Sequence, residues 1–323
     1  MTMNIFNLKF AILISHKNCL DGSSCIAIES NTNHHINFKY FINPNSPFGN
    51  NIFFNYFVFF VSFIFSIKFV FTDIIASDIK YLLDFYKKTS IKFEIYDHHH
   101  TQQKLVDELV SYPNLLIDFQ PKSKFGATKQ LVDKYNHLLR DQQINFFTKI
   151  AACDMWNKEA FPDFNYFTFG INSFKHEFNI KSILPEILWE ISFDGDYYSQ
   201  LFVDEGKKFY ENFIENFNNI LDEPVNYEEY NILLINTSKL DGPYNEMNMV
   251  SPICFYFSEN KNPKINTLAI YNDDSDYVSL RSVSSDIDFD ISKLAQKCQG
   301  GGHKKASGCK LQLFLYLIKQ YTN

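Results

Sequence analysis

Three times in the first hundred residues, a short apolar run ends on a polar cluster, and after the first two a helix-like stretch follows. "FAILIS" (10–15) runs into His16, Asn18, Cys19 and Asp21, and Asp21, Gly22 and "SSCIAIES" open a helix. "FVFTD" (69–73) ends on Asp73 before the helical "IIASDIKYLLDFYKK", and "IKFEIYD" (91–97) runs into Asp97, His98, His99 and His100. A fourth run, "NLLIDF" (114–119), precedes the amphipathic "GATKQLVDKYNHLLR" (126–140). Strands alternating with helices of this length specify a mostly parallel sheet flanked by helices, with right-handed crossovers. In such sheets functional groups collect beyond the carboxyl ends of the strands, which is where these clusters fall.

The pattern changes further on. Residues 142–222 read as helix-rich, closing on "GKKFYENFIENFNNIL", and "DEPVNYEEYN" marks a boundary. Beyond it, "NILLINT", "SPICFYFS", "TLAIYN" and "YVSLRSV" read as strands, followed by the helix "DISKLAQKCQ" and the glycine-rich "GGGHKKASGCKL". The expected organisation is an α/β domain over 1–185, a helical linker over 186–227 and a smaller α+β domain over 228–318, with a cleft between the domains.

At 46% apolar and 21% charged residues, the chain can bury ordinary cores. A net charge of −7 argues against a surface built as a long nucleic-acid clamp. A phosphate site on such a protein needs concentrated positive charge, and a metal ion supplies it. The six cysteines form no C-x-x-C pair, which points to free thiols in a reducing compartment, the cytoplasm or an organelle. "NIFNLKFAILIS" (4–15) lacks a basic start and a cleavage site, so it reads as a buried strand and not a signal peptide. "NIFFNYFVFFVSFIFSIKFVF" (51–71) has the length of a membrane span but carries Asn55, Ser62, Ser66 and Lys68. A hydrophobic insert over about 51–68, or a translated intron, accounts for it equally well.

Each polar cluster has a bland reading. Asp21 can cap a strand-to-helix turn, Asp73 can cap the next helix, and a histidine run can be a solvated loop. Together with Asp154, in "KIAACDMWNKE" on a helix, they give four acid or imidazole clusters that one sheet edge can gather. Mixed histidine and carboxylate donors suit Mn²⁺, Fe²⁺ or Zn²⁺ better than Ca²⁺. Asp73 is the candidate to bridge two such ions, an arrangement suited to in-line displacement at phosphorus.

"HKNCLDG", "FTD", "YDHH" and "ACD" together resemble the motifs of the DHH phosphoesterases. "SLRSVSSDIDFDISKLAQKCQGGGHKKASG" resembles their associated DHHA1 domain, so the likeness spans most of the chain in the expected order. The resemblance implies two Mn²⁺ ions, with Mg²⁺ or Co²⁺ as substitutes. It implies metal ligation by His16, Asp21, Asp73 (bridging), His98 and Asp154, and catalytic roles for His99 and Asp97. Arg281 and a loop of Gly300, Gly301, Gly302 and His303 would hold the substrate's phosphate or terminal nucleotide, and His100 would be a bystander. Adjacent glycines let backbone N–H groups approach an anion, and arginine offers a bidentate fork.

The sequence departs from the commonest pattern at its first motif, where Asn18 and Cys19 fill a region that usually carries an aspartate. This puts the metal preference of that position, and the ligand roles of Asn18 and Cys19, in question. The expected activity is metal-dependent hydrolysis of phosphoester bonds in nucleotides or short single-stranded oligonucleotides, with no long duplex as partner. A RecJ-like single-strand exonuclease and a non-catalytic scaffold that binds nucleic acid without turnover are the alternatives.

Overall fold

The computed structural model describes residues 9–320 apart from 18, 34, 44–45, 49–51, 100–101, 178–182, 222, 242–243, 245–248 and 287. The chain divides into two compact units, one of residues 1–164 and 177–201, the other of residues 165–176 and 202–323.

The first unit alternates β1 (Lys9–His16), α1 (Leu20–Thr32), β2 (Ile36–Ile42), α2 (Ile52–Val61), β3 (Ser66–Thr72), α3 (Ile79–Tyr86), β4 (Lys92–Asp97), α4 (Gln103–Leu109) and β5 (Leu115–Phe119). Helices α5 (Ala127–Tyr135) and α6 (Asp141–Asp154) follow. The strands form one sheet in the order β2-β1-β3-β4-β5, every pair parallel. Parallel strands need crossovers, and each intervening helix is one, so both sheet faces are covered. Alternation sorts the faces: Ile67, Phe69 and Phe71 of β3 and Phe93 and Ile95 of β4 share a core with Leu82, Leu83 and Tyr86 of α3.

The opposite face buries charge. Glu29 on α1 is fully buried, with Lys68 Nζ of β3 at 2.5 Å and Lys134 Nζ of α5 at 3.5 Å. Glu94 of β4 closes the network, 2.8 Å from Lys134 and 3.6 Å from Lys68. Burial alone would raise the Glu29 pKa, but the two ammonium groups outweigh it and hold the carboxyl below its ordinary range.

The hydrophobic run at 51–71 resolves into two elements. Its first part is α2, and its second part is β3, a core strand. Asn55 is fully buried, and its backbone carbonyl and Oδ1 accept from the Tyr86 hydroxyl at 3.1 Å, so the polar residue in the run is an anchor. Tyr56, Phe57, Phe60, Phe63 and Ile64 are exposed. Among the described residues, no helix is long and apolar enough to cross a membrane. Strand β2 is an edge strand that the alternation pattern missed.

Helix α7 (Phe164–Glu177) contributes most of its length to the second unit, and α8 (Pro185–Ser192) belongs to the first. Helix α9 (Gly195–Phe217) supplies residues to both. The second unit continues with β6 (Val225–Tyr227), β7 (Tyr230–Asn236), α10 (Val250–Glu259), β8 (Thr267–Tyr271) and β9 (Tyr277–Ser282). It closes with α11 (Ser292–Lys297), β10 (Gly301–His303), β11 (Ala306–Lys310) and α12 (Leu311–Lys319). Its mixed sheet runs β10-β11-β9-β8-β7-β6, and only β7 and β8 pair in parallel.

Two expectations are corrected here. "SPICFYFS" is not a strand but the body of α10: the parallel β7–β8 pair requires a crossover, and Ile253 and Phe257, one helical turn apart, bury together. The glycine triplet does not end in a free loop, because Gly301 and Gly302 pair with Gly308 and Ser307 in a hairpin.

Candidate metal centre

Four segments meet at the carboxyl edge of the parallel sheet. Strand β1 ends on His16, and α1 starts from Cys19 in extended backbone geometry. Asp21 lies in the first turn of α1 and is 1% exposed. Its Oδ1 and Oδ2 accept from the Thr128 backbone N–H at 3.2 and 3.3 Å, and its backbone carbonyl accepts from Thr128 Oγ1 at 2.9 Å. The carboxylate therefore faces the N-terminus of α5, where the helix dipole favours negative charge. Gly126 makes this approach feasible, since a Cβ there would stand 2.6 Å from Asp21 Cγ.

Asp73 follows β3 directly. Its φ of 60° is in the left-handed region, which aspartate tolerates at a cost that other side chains meet more severely. Its N–H still donates to Tyr96 O at 2.8 Å, so the ladder to β4 extends through the turned residue. The side chain is 1% exposed, and neither carboxylate oxygen has a hydrogen-bond partner of proper geometry. Oδ2 is 3.9 Å from His16 Nδ1, while Oδ1 is 3.8 Å from both His98 Nδ1 and His99 Nδ1.

Asp97 ends β4 and is fully buried. Its Oδ1 accepts the backbone N–H groups of His98 (2.8 Å) and His99 (3.1 Å) and lies 2.7 Å from His99 Nδ1. Gln130 Nε2 of α5 donates to the Asp97 carbonyl at 3.1 Å. The two imidazoles stack with centroids 4.4 Å apart. His98 Nε2 meets Asp154 Oδ2, at the end of α6, at 3.0 Å.

Three sets of donor atoms result, each mutually within 4.8 Å: His16, Cys19 and Asp73; Asp21, Asp73, His98 and Asp154; and Asp73, Asp97, His98 and His99. Asp73 belongs to all three. The electrostatics report crowding. Burial, then the charge of Asp154, pushes the Asp21 carboxyl up to about 7, against the pull of His98 and the Thr128 hydrogen bonds. Burial, then Asp21 and Asp154, holds Asp73 well above the carboxylate range, with the Cys19 thiol acting the other way. Burial alone would lower the His98 pKa, but its bond to Asp154 and the surrounding carboxylates raise it. His16 is lowered, by burial and then by His99. The Cys19 thiol is pushed up by burial and then by the carboxylates of Asp73, Asp21 and Asp154.

Such a cluster fits divalent cations. Asp73 Oδ1 and Oδ2, Asp97 Oδ2 and His98 Nδ1 are buried polar atoms without hydrogen-bond partners, and buried groups normally have one.

His16, Cys19, Asp21, Asp73, Asp97, His98, His99 and Asp154, all singled out in the sequence, are thus assembled in one unit. Asn18 and His100 lie outside the described residues. Arg281, Gly300, Gly301, Gly302 and His303 belong to the second unit. There Arg281 on β9 pairs in register with Ala306 of β11, and its Nη1 donates to Leu280 O at 2.8 Å and Ser307 O at 3.4 Å. Sequence reasoning missed Thr128, Gly126 and Gln130. The "GAT" that opens α5 holds a glycine next to a helix start, a faint signal of close approach.

No family model and no curated protein matches the chain in sequence. Solved structures match it across nearly its whole length. The DHH domain of a protein described as a member of a family of ribosomal proteins aligns with 96% of this chain and 86% of its own, at 13% identity and a TM-score of 0.59. The pGpG-specific phosphodiesterase PggH of Vibrio cholerae aligns with 96% of this chain and 98% of its own, at 15% identity and a TM-score of 0.50. The chain carries the DHH-domain fold: an all-parallel five-stranded sheet flanked by helices, followed by a mixed-sheet unit.

Proposed function

We propose that the protein is a metal-dependent phosphoester hydrolase acting on nucleotides or short single-stranded oligonucleotides. The observation that carries this reading is Asp73, buried and without hydrogen-bond partners, with one oxygen toward His16 and the other toward His98 and His99. Asp21, Asp73, His98 and Asp154 would hold one cation, and His16 and Asp73 would contribute to a second. Mn²⁺ is the first candidate, with Mg²⁺ and Co²⁺ next, on the mixture of oxygen and imidazole donors. Bound there, such ions acidify water and neutralise charge on phosphoryl oxygens.

The chain's own groups do the positioning. Asp97 holds His99 by its Nδ1, which leaves Nε2 of a side chain that is 42% exposed for hydrogen bonding or proton transfer to a phosphoester oxygen. Thr128 fixes Asp21. Arg281 and the Gly300–His303 edge are assigned to the substrate's phosphate or terminal nucleotide, through guanidinium and backbone N–H donors.

Small substrates are favoured by the net charge of −7, since affinity for long strands grows with the number of Lys and Arg contacts. The similarity to a phosphodiesterase specific for pGpG, a dinucleotide, supports the same size class. The test is a panel of dinucleotides, short RNA and an artificial phosphodiester with Mn²⁺, Mg²⁺ or Co²⁺, run beside His99→Ala. Mononucleotide release by the wild type alone is expected, and no turnover of any substrate refutes the reading. Faster hydrolysis of a long labelled strand than of a dinucleotide would instead identify a processive single-strand exonuclease.

A further inference from the structure

We propose that Cys19 is a metal ligand, and that its thiolate sets the cation preference of the position it shares with His16 and Asp73. The inference rests on the metal-dependent reading above and concerns the donor set of one position. Sγ of Cys19, a ring nitrogen of His16 and an oxygen of Asp73 lie within 4.8 Å of one another, so one ion can touch all three. The other position has four donors of its own in Asp21, Asp73, His98 and Asp154. Without Cys19, the first position retains only His16 and Asp73 among the described residues, too few to hold a cation firmly.

Backbone geometry supports the assignment. Cys19 occupies the N-cap of α1 but makes no side-chain capping bond, so the helix does not use the sulfur as it would use a serine or aspartate oxygen there. The Asp73 oxygen that faces His16, Oδ2, is buried without a hydrogen-bond partner. The three donors therefore converge from three elements: the end of β1, the start of α1 and the turn after β3.

The chemistry follows from the donor type. On binding, the S–H bond breaks, its electron pair forms the sulfur–metal bond, and the proton leaves to solvent, so filling this position releases one proton per ion. A thiolate with one imidazole and one carboxylate favours Zn²⁺, Co²⁺ and Fe²⁺, whereas Mg²⁺ prefers oxygen alone. The two positions should thus differ: the Cys19 position selective for the softer ions, the Asp21–Asp154 position tolerant of Mn²⁺ and Mg²⁺.

Spectroscopy of the Co²⁺-loaded full chain tests this independently of turnover. The wild type should bind two Co²⁺ and show a near-ultraviolet sulfur-to-cobalt charge-transfer band. Cys19→Ser and Cys19→Ala should lose that band and bind the first ion at least tenfold more weakly, while the second ion stays. Cys19→Asp should lose the band yet regain two-ion binding, with Mn²⁺ now competing about as well as Co²⁺. Two bound Co²⁺ without the band, or a band that persists in Cys19→Ser and so belongs to another of the six cysteines, overturns the proposal and leaves the hydrolase reading standing. A folded wild type that binds no Co²⁺ at all refutes the hydrolase reading itself, and this proposal with it.

Discussion

His99 Nδ1 stands 2.7 Å from Asp97 Oδ1, and that oxygen also accepts the backbone N–H groups of His98 and His99. A single buried carboxylate thus fixes both the loop and the imidazole, a geometry that holds one nitrogen and offers the other. Asp97→Asn keeps the shape but weakens support for a protonated ring. Its turnover should fall by roughly 10²–10⁴, with the fold retained. His99→Ala should lose a comparable factor. Steady-state kinetics beside a melt and metal analysis check both variants, and unimpaired turnover would remove the dyad from the mechanism.

Gly126 tests the placement of Asp21. Its φ of −68° suits any residue, so the only objection to alanine is the carboxylate 2.6 Å away. Gly126→Ala should displace Asp21 and weaken binding of the ion at the Asp21–Asp154 position by tenfold or more, at about 1–3 kcal/mol in stability. Calorimetric titration with Mn²⁺ reads the first effect and urea unfolding the second. Wild-type affinity would mean that Asp21 is not a ligand.

Stability of the metal-free protein should fall as pH rises from about 4 to about 7. Asp21 and Asp73 are raised in the folded state, so between their unfolded and folded values the native protein binds more protons than the unfolded chain. The raised His98 acts in the same direction, since its contribution is lost as pH rises through its folded value, and the lowered His16 opposes it. Divalent cations compete with these protons, so stabilisation by added Mn²⁺ should grow over the same window. Thermal melts at pH 5 and pH 8, in chelator and in Mn²⁺, measure the trend. A metal-free protein more stable at pH 8 would contradict it.

Lys68→Met removes one cation from the buried Glu29 network and should cost about 3–5 kcal/mol, because Glu29 remains buried beside Lys134 alone. Adding Glu29→Gln to that variant should recover a large part of the loss. Equilibrium unfolding of the single and double variants separates a working pair from a passive one, and additive losses would deny the coupling.

Sequence pattern reached the placement of the acids because parallel sheets concentrate chemistry at one edge: the polar residues after 15, 72 and 96 had to emerge together once the runs before them were read as parallel strands. It missed β2, where "INFKYFI" is an edge strand exposed on alternate residues and carries no long apolar run. It misread "SPICFYFS", whose aromatic composition suits a strand, because only the β7–β8 pairing demands a helix there. Glycines in β10 carry no side-chain pattern, so the hairpin looked like a loop. The support of Asp21 by Thr128 spans 107 positions and leaves no local trace.

That separation bears on how the protein is made. The donors arrive in the order His16, Cys19, Asp21, Asp73, His98 and Asp154, and α5, which fixes Asp21, lies late in that order. A nascent chain halted within β5 already displays three of the four donors of the second set but neither the Thr128 contact nor Asp154. The second donor set is therefore complete only once α6 has left the ribosome, with more than half of the chain still to follow, and a product truncated before α6 would lack Asp154.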